Sequence, residues 1–307
     1  MVPRHSLETI IPVRPNLTCS TALTVVFGPV AVVFALLTAV VYGIADYSGG
    51  RGSRLASSFT VTFVGQCAGF VAALMLAVFI GDAVPSGRDL LISGAAGVAG
   101  SLGLLGFYRA MASGSMTIVA PITALVGTTI PVVWGLVAGE RPGFLSYVGM
   151  VVALLAVVLV TDALGVQDKR TPADIVVLAA LAGTCFATIF ITFDYVSPDA
   201  GLWPLVALRS VSLPLVFLVV VSTRHPLRTR GEATRWALTS GILDSAANGF
   251  YLIAARHGLL SVVAVIASLY PVSTLALATS LDKEKLHSAQ WVGVGLALVA
   301  LVLVSAG

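Results

Sequence analysis

The chain has 307 residues, 58% of them hydrophobic and only 10% charged, with a mean hydropathy of +1.01 and a formal net charge of +3. Soluble globular proteins carry roughly 25% charged residues, so a water-soluble enzyme, a nucleic-acid binder and a disordered scaffold are excluded. The 17 basic and 14 acidic side chains bunch between apolar runs of about 20 residues, roughly what a helix needs to cross ~30 Å of hydrocarbon.

Residues 1–23 form a tail with Arg4, Glu8 and Arg14. The run Val25–Ala45 is too long for a leader core and lacks a clear small-residue cleavage site, so it is the first span. Apolar runs bounded by charges, Gly and Pro place helices over 25–47, 56–80, 90–112, 116–138 and 144–163. Five more follow over 174–195, 202–222, 235–256, 259–281 and 288–306. Period-two alternation is absent from these runs, which does not support a barrel. The longest polar stretches, Gly165–Pro172 and Thr223–Arg235, leave no room for a soluble domain. Gly94, Gly97, Gly100, Gly103 and Gly106 make a slanted stripe on the third span that lets neighbouring backbones approach. Pro121, Pro131, Pro214 and Pro271 can kink their spans. Cys67 and Cys185 lie in apolar segments and read as small hydrophobes, and no zinc spacing exists.

The sequence resembles itself. Gly106-Phe107-Tyr108 recurs as Gly249-Phe250-Tyr251, and Gly139-Glu140-Arg141 is echoed by Lys283-Glu284-Lys285. Glu140 and Glu284 are 144 apart, as are Gly149 and Gly293, while Asp46-Tyr47 and Asp194-Tyr195 are 148 apart. The near-constant offset gives a five-plus-five repeat: a tail over 1–23, a first repeat over 24–163, a loop over 164–173 and a second repeat over 174–307. Five spans per repeat is odd, so the second half enters the membrane from the opposite side. The expected fold is all-α and polytopic, ten transmembrane helices as two inverted five-helix repeats, the arrangement on which alternating access rests.

The ten spans, the endings Gly139-Glu140-Arg141-Pro142 and Lys283-Glu284-Lys285-Leu286, and the glycine six residues into spans five and ten resemble the EamA-type members of the drug/metabolite transporter superfamily. The segment Tyr42-Gly43-Ile44-Ala45-Asp46-Tyr47-Ser48-Gly49-Gly50 is also similar to a Gly-x-x-Asp-aromatic stretch of one subgroup. The resemblance covers about 25–306 and implies a secondary transporter, usually an exporter of amino acids, related metabolites or drugs, with substrate in a central cavity. Two positions depart from the pattern. The proline usual thirteen residues before the glutamate is present as Pro271 but replaced by Gly127 in the first half, and a basic residue common in the second helix is missing, with Gln66 nearby.

An ionisable group inside the hydrocarbon needs a functional or structural reason. Asp46, Arg109, Asp194, Arg209 and Asp244 are such groups, with Arg209 and Asp244 the deepest. Asp244, Asn248 and Tyr251 share one helix face at i, i+4 and i+7. Arg209 either snorkels, pairs with a carboxylate such as Asp244 or Asp194, or receives an anionic substrate group; Gln66 is its counterpart by register. Asp46 and Asp194 are expected to close the first helix of each repeat at opposite mouths of the pathway. Asp46 or Asp244 is expected to bind and release a proton, since a low-dielectric cavity disfavours a charged carboxylate. Tyr42, Tyr108, Tyr251 and Tyr270 either pack or stack on an aromatic or cationic substrate. The expected substrate or coupling set is Asp46, Gln66, Tyr108, Asp194, Arg209, Asp244, Asn248 and Tyr251.

No Ser/His/Asp, HExxH or phosphate-cradling motif appears, so no catalytic residue, metal or cofactor is expected. The expected partners are a small-molecule substrate, the lipid bilayer and protons as coupling ion, with no nucleic acid and the oligomeric state open. The expected activity is export of a small metabolite, amino acid or drug by proton antiport at the plasma or inner membrane. A membrane-embedded lipid-handling protein or enzyme, a non-transporting assembly subunit, and an importer or antiporter of another small solute stay open as alternatives. The resemblance favours cytoplasmic termini. The loop charges oppose it: Arg4, Arg14, Arg88, Arg141 and Arg256 share the side of the N-terminus, against ten Lys and Arg on the other, the reverse of the positive-inside bias.

Overall fold

The computed structural model describes residues 29–80, 85–113, 116–160, 172–283 and 286–306. Those residues are helical, in ten spans: α1 (Pro29–Leu55), α2 (Ser58–Ile80), α3 (Gly87–Ser113), α4 (Met116–Val137) and α5 (Phe144–Val160) in the first half. The second half holds α6 (Ala173–Tyr195), α7 (Trp203–Ser222), α8 (Glu232–His257), a ninth span broken into α9 (Leu260–Ala267) and α10 (Tyr270–Leu281), and α11 (Ser288–Ala306). Among the described residues seven spans are long and apolar enough by themselves to cross a membrane. The least apolar of the long helices is α8, which carries Glu232, Arg235, Asp244 and Arg256. Large apolar side chains face outward, including Met75, Phe79, Leu91, Val151, Leu181 and Leu298, as lipid-facing surfaces require.

The helices pack by a pseudo-two-fold rule. Contacts of α1 with α8 are mirrored by those of α6 with α3, contacts of α2 with α8 by those of α7 with α3, and contacts of α4 with α6 by those of the α9–α10 span with α1. Three pairs, α2 with α7, α4 with α9 and α5 with α11, are their own mirror images. Single atoms obey the same rule. Ser146 Oγ donates to the Val304 carbonyl at 3.3 Å, and Gln290 Nε2 donates to the Val160 carbonyl at 3.3 Å. These two bonds exchange under the 144-residue offset, as do the close approaches of Gly149 to Val304 and of Gly293 to Val160. Such reciprocal contacts are the signature of an isologous interface, here within one chain.

Contacts at the helix ends sort the loops onto two faces. On one, Ser197 N donates to Asp89 Oδ1 at 3.1 Å, Arg256 donates to the Gly201 carbonyl at 2.7 Å, and Trp134 Nε1 donates to the Tyr195 hydroxyl at 3.0 Å. On the other, Arg51 pairs with Asp282, Tyr47 meets Trp236 edge-on, and the Thr60 hydroxyl donates to the Pro226 carbonyl at 2.7 Å. Thus α1 ends on the second face and α6 on the first. The two first helices of the repeats run antiparallel, and the halves are inverted.

Two expectations from the sequence are corrected. Asp46 does not close the first helix: α1 continues for nine residues to Leu55, packed through Tyr47 and Gly52 on Trp236 of α8, so Arg51 and Arg54 are helical rather than loop residues. In the second half Pro198 holds the residue before it, Ser197, out of helix at φ −55° and ψ 138°, Val196 is extended as well, and α6 stops at Tyr195. The ninth span is not continuous either, because Pro271 lacks an N–H and its ring crowds the carbonyl four residues before it, so α9 ends at Ala267. Gly127 stands at the equivalent place in α4, which runs unbroken to Val137.

The tightest crossing is that of α2 with α8, where a Cβ on Gly241 would sit 1.8 Å from the Gly65 carbonyl oxygen. Gly241→Ala is therefore expected to destabilise the detergent-solubilised protein by about 1–3 kcal/mol, as overpacked cores do. Gly295→Ala, where a Cβ meets nothing within 4 Å, should be neutral or stabilising. Thermal melting of both variants followed by size-exclusion chromatography checks the pair.

Candidate functional site

Close backbone crossings bring polar groups to the middle of the bundle. Gly65 on α2 lets α8 approach, and by the pseudo-two-fold rule Gly97 on α3 lets α7 approach, a Cβ there falling 2.4 Å from the Leu208 carbonyl oxygen. The residues following Gly65 and Leu208 are Gln66 and Arg209, counterparts in the repeat, and they meet: Arg209 Nη1 donates to Gln66 Oε1 at 2.5 Å. Counterpart positions can touch only where the pseudo-two-fold axis passes. The Gln66–Arg209 contact therefore marks that axis.

Arg209 is buried, its side chain 8% exposed, and its Nη2 pairs with Asp244 Oδ2. Ser212 Oγ donates to Gln66 Oε1 at 3.3 Å, and Asn248 Nδ2 donates to the Asp244 carboxylate at 3.3 Å and to the Asp244 carbonyl at 2.8 Å. Both terminal nitrogens of the guanidinium are engaged, which satisfies the condition for a cation in a dry interior. The Asp244 side chain is 38% exposed, so the pair is not sealed from its surroundings.

Asp46 joins this region from α1. It is exposed although mid-helix, within electrostatic reach of Asp244 and Tyr270, and it has no hydrogen-bond or ion-pair partner among the described residues. The Gly-x-x-Asp spacing has a physical role here. A Cβ on Gly43 would sit 1.9 Å from Ser273 Oγ; without it α10 lies against α1, Ser273 Oγ donating to the Ala39 carbonyl at 2.9 Å and Thr274 Oγ1 to the Gly43 carbonyl at 3.2 Å. That approach sets Tyr270 edge-on to Tyr42, ring centroids 6.3 Å apart. Phe190 touches Tyr42 at 6.5 Å and Tyr251 at 4.6 Å.

Of the residues singled out in the sequence, Gln66, Arg209, Asp244 and Asn248 form one network, with Asp46 beside it. Tyr251 is fully buried against Phe190 and Phe193, a step along α8 from the ion pair. Asp194 is half-buried in the last turn of α6, toward the first face, and Arg109 is exposed near the end of α3. The Tyr108 side chain, Cys19, Glu284 and Lys285 lie outside the described residues. Cys67 and Cys185 are free thiols, and among the described residues no group of three His, Cys, Asp or Glu side chains could hold a metal.

Glu140 has a role that the sequence did not disclose. After α4 the chain turns at Gly139, φ +101°, and the Glu140 carboxylate accepts from Leu260 N at 2.6 Å and Ser261 N at 2.9 Å, the first amides of α9. A carboxylate there satisfies orphan donors and complements the helix dipole. Gly135 leaves it room, since a Cβ would lie 2.3 Å from Glu140 Oε2. The end of the first half's fourth span thereby caps the start of the second half's ninth. Glu140→Ala should lower stability by about 1–2 kcal/mol, the upper range for losing a helix cap, with Glu140→Gln intermediate, as read by thermal melting.

A double-mutant cycle tests the central pair. Arg209→Gln and Asp244→Asn should each destabilise, with the double variant less destabilised than the sum by at least about 1 kcal/mol, the coupling typical of groups in one network.

The sequence was compared with known proteins. The model of the EamA-like transporter family matches residues 29–162 and again 174–306. A solved structure described only as "Crystal structure of protein" superposes with a TM-score of 0.74 at 14% sequence identity, over 89% of this chain and 95% of the other, so it shares the fold. No curated protein matches the sequence significantly.

Proposed function

The chain belongs to the EamA-like transporter family, a family of small-solute transporters and not of enzymes, and from that premise we propose that this multi-pass membrane protein exports a small metabolite, amino acid or drug in exchange for protons. The proposed setting is the plasma or inner membrane, with both termini cytoplasmic. The observation that carries the reading is the Gln66–Arg209 contact on the pseudo-two-fold axis, with Asp244 bound to Arg209 and Asp46 bordering the same space. A site on that axis is related equally to both halves, so a rocking of one repeat against the other would present it to each face in turn.

The roles follow from the charges. Arg209 pairs with Asp244, and the pair acts as a positioning element. Asp46 has no counter-charge of its own, and a bare carboxylate inside a membrane is costly unless it takes up a cation. The proton is therefore assigned to Asp46 in the empty carrier. The broken ninth span supplies the moving part, α10 being hinged at Ser268 and Leu269.

Reconstituted vesicles with and without an imposed pH gradient test the proposal, with amino acids, drugs and metabolites screened as solutes. A pH gradient should drive uptake of at least one solute, and Asp46→Asn should cut the gradient-driven component about tenfold or more. Absence of solute and proton flux with every solute tested would count against export.

A further inference from the structure

The charges of the central site do not balance. Asp46 lies within electrostatic reach of Asp244, and the cation bound there, Arg209, has its two terminal nitrogens committed to Asp244 and Gln66. Among the described residues the other groups near this pair are uncharged: Gln66 from α2, Tyr42 from α1, Asn248 from α8 and Tyr270 from α10. The carboxylates within reach of Tyr251, Asp194 and Glu140, belong to the first face, Glu140 being bound to the α9 amides. One negative charge is left over, on Asp46, which has no partner among the described residues.

The walls beside that charge are aromatic. Tyr42 and Tyr270 stand edge to face with centroids 6.3 Å apart and planes at 61°, and Tyr42 lies one turn before Asp46 on the same face of α1. Phe190 continues the wall from Tyr42 to Tyr251. The Tyr251 hydroxyl is buried without a hydrogen-bond partner among the described residues and lies within electrostatic reach of the Tyr42 hydroxyl. A buried polar atom left unsatisfied against a partly accessible interior marks a position where a ligand or water completes the bonding. Ring faces and carboxylates both attract positive charge, and their attraction grows when water is excluded.

We propose that this enclosure selects an organic monocation, an amine or quaternary ammonium on an apolar or aromatic body, with its charge beside Asp46 and its body against Tyr42, Tyr270 and Phe190. An anionic substrate is disfavoured because Arg209 offers it no free nitrogen pair, and a dication would leave one positive charge unmatched. The proposal rests on the reading of the axial cluster as the transport site, and it adds the sign and number of the substrate's charges.

The test uses the full chain, purified in detergent, and three probes of similar size: benzyltrimethylammonium, benzyl alcohol and benzenesulfonate. Isothermal titration should give saturable binding for the ammonium alone. Asp46→Asn should weaken that binding about tenfold or more, as loss of a charge-assisted contact does. Asp46→Glu should restore most of it, and Tyr270→Leu should weaken it severalfold with the melting temperature held. Equal or tighter binding of the sulfonate or alcohol, or ammonium binding untouched by Asp46→Asn, would overturn the proposal. Asp46→Glu and the three-probe ranking on the unmodified protein decide the matter even if Asp46→Asn fails to fold. Vesicle flux separates the two readings. Proton-driven movement of an anion or neutral solute without ammonium binding would sink the monocation assignment and leave export standing. Ammonium binding that depends on Asp46, with no flux of any solute, would leave the assignment standing and remove export.

Discussion

A guanidinium in the middle of an apolar bundle cannot be left to itself, and the arrangement around Arg209 answers that constraint. Its desolvation is offset only if a carboxylate and a neutral acceptor are delivered to its two ends, which here requires α2, α7 and α8 to meet at one level. The helices can meet there because the crossing positions are glycines. Gly65 and Gly241 bring α2 to α8, and Gly97 brings α3 to α7, at separations that no side chain would permit. Packing and electrostatics are thus one problem: the crossings are tight enough to exclude lipid, and the polar groups they bring together satisfy one another.

The pseudo-two-fold rule explains why this happens at the centre. A residue and its counterpart in the other repeat can touch only on the axis, and Gln66 and Arg209 are such a pair with different chemistry. Had both been arginine, the like charges would repel in a medium that screens little; had both been glutamine, Asp244 would have lost its counter-charge. Duplication gives the geometry, and divergence between the copies gives the charge. The same holds for the departures from symmetry. Proline at 271 and glycine at 127 break the ninth span but not the fourth, while Pro198 halts α6 where α1 runs on to Arg51 and its pairing with Asp282. The second face is therefore braced by contacts that the first face lacks, although the first face has its own in the Glu140 cap.

Much of this was legible in the sequence because it follows from one-dimensional patterns. Charge content and run length gave the membrane and the ten spans; the 144-residue offset gave the repeat, and its odd span count the inversion. The register counterpart of Arg209 was readable as Gln66, at the 143-residue spacing that also relates Gly106-Phe107-Tyr108 to Gly249-Phe250-Tyr251. What was not readable was contact. The sequence allowed Arg209 to snorkel, to pair with Asp194 or to pair with Asp244, and only the packing of both α7 and α8 on α2 selects the last. The sequence places Asp46 at a helix end because the apolar run stops at Ala45, whereas packing on Trp236 carries the helix on to Leu55. The proline after Tyr195, with none after Tyr47, was the available sign that the two helices end differently. Glu140 could be seen as a motif but not as a cap, since its partners are 120 residues away.

These contacts also bear on which parts of the molecule can move. The α5–α11 pair is joined by reciprocal backbone-directed bonds from Ser146 and Gln290 and by two glycine crossings, none of which depends on charge. The α1–α10 contact is different, held by Ser273 and Thr274 hydroxyls and, at its end, by the Arg51–Asp282 pair, and α10 has no fully buried residue. A helix broken from its neighbour at one end, tied by polar bonds and without a fully buried residue is the kind of element that costs least to displace. It is also the helix that carries Tyr270 to Asp46. In the proposed mechanism, displacing α10 would uncover Asp46 and remove one of the aromatic rings near it together, so access to the proposed site and its affinity for a ligand would change in the same movement.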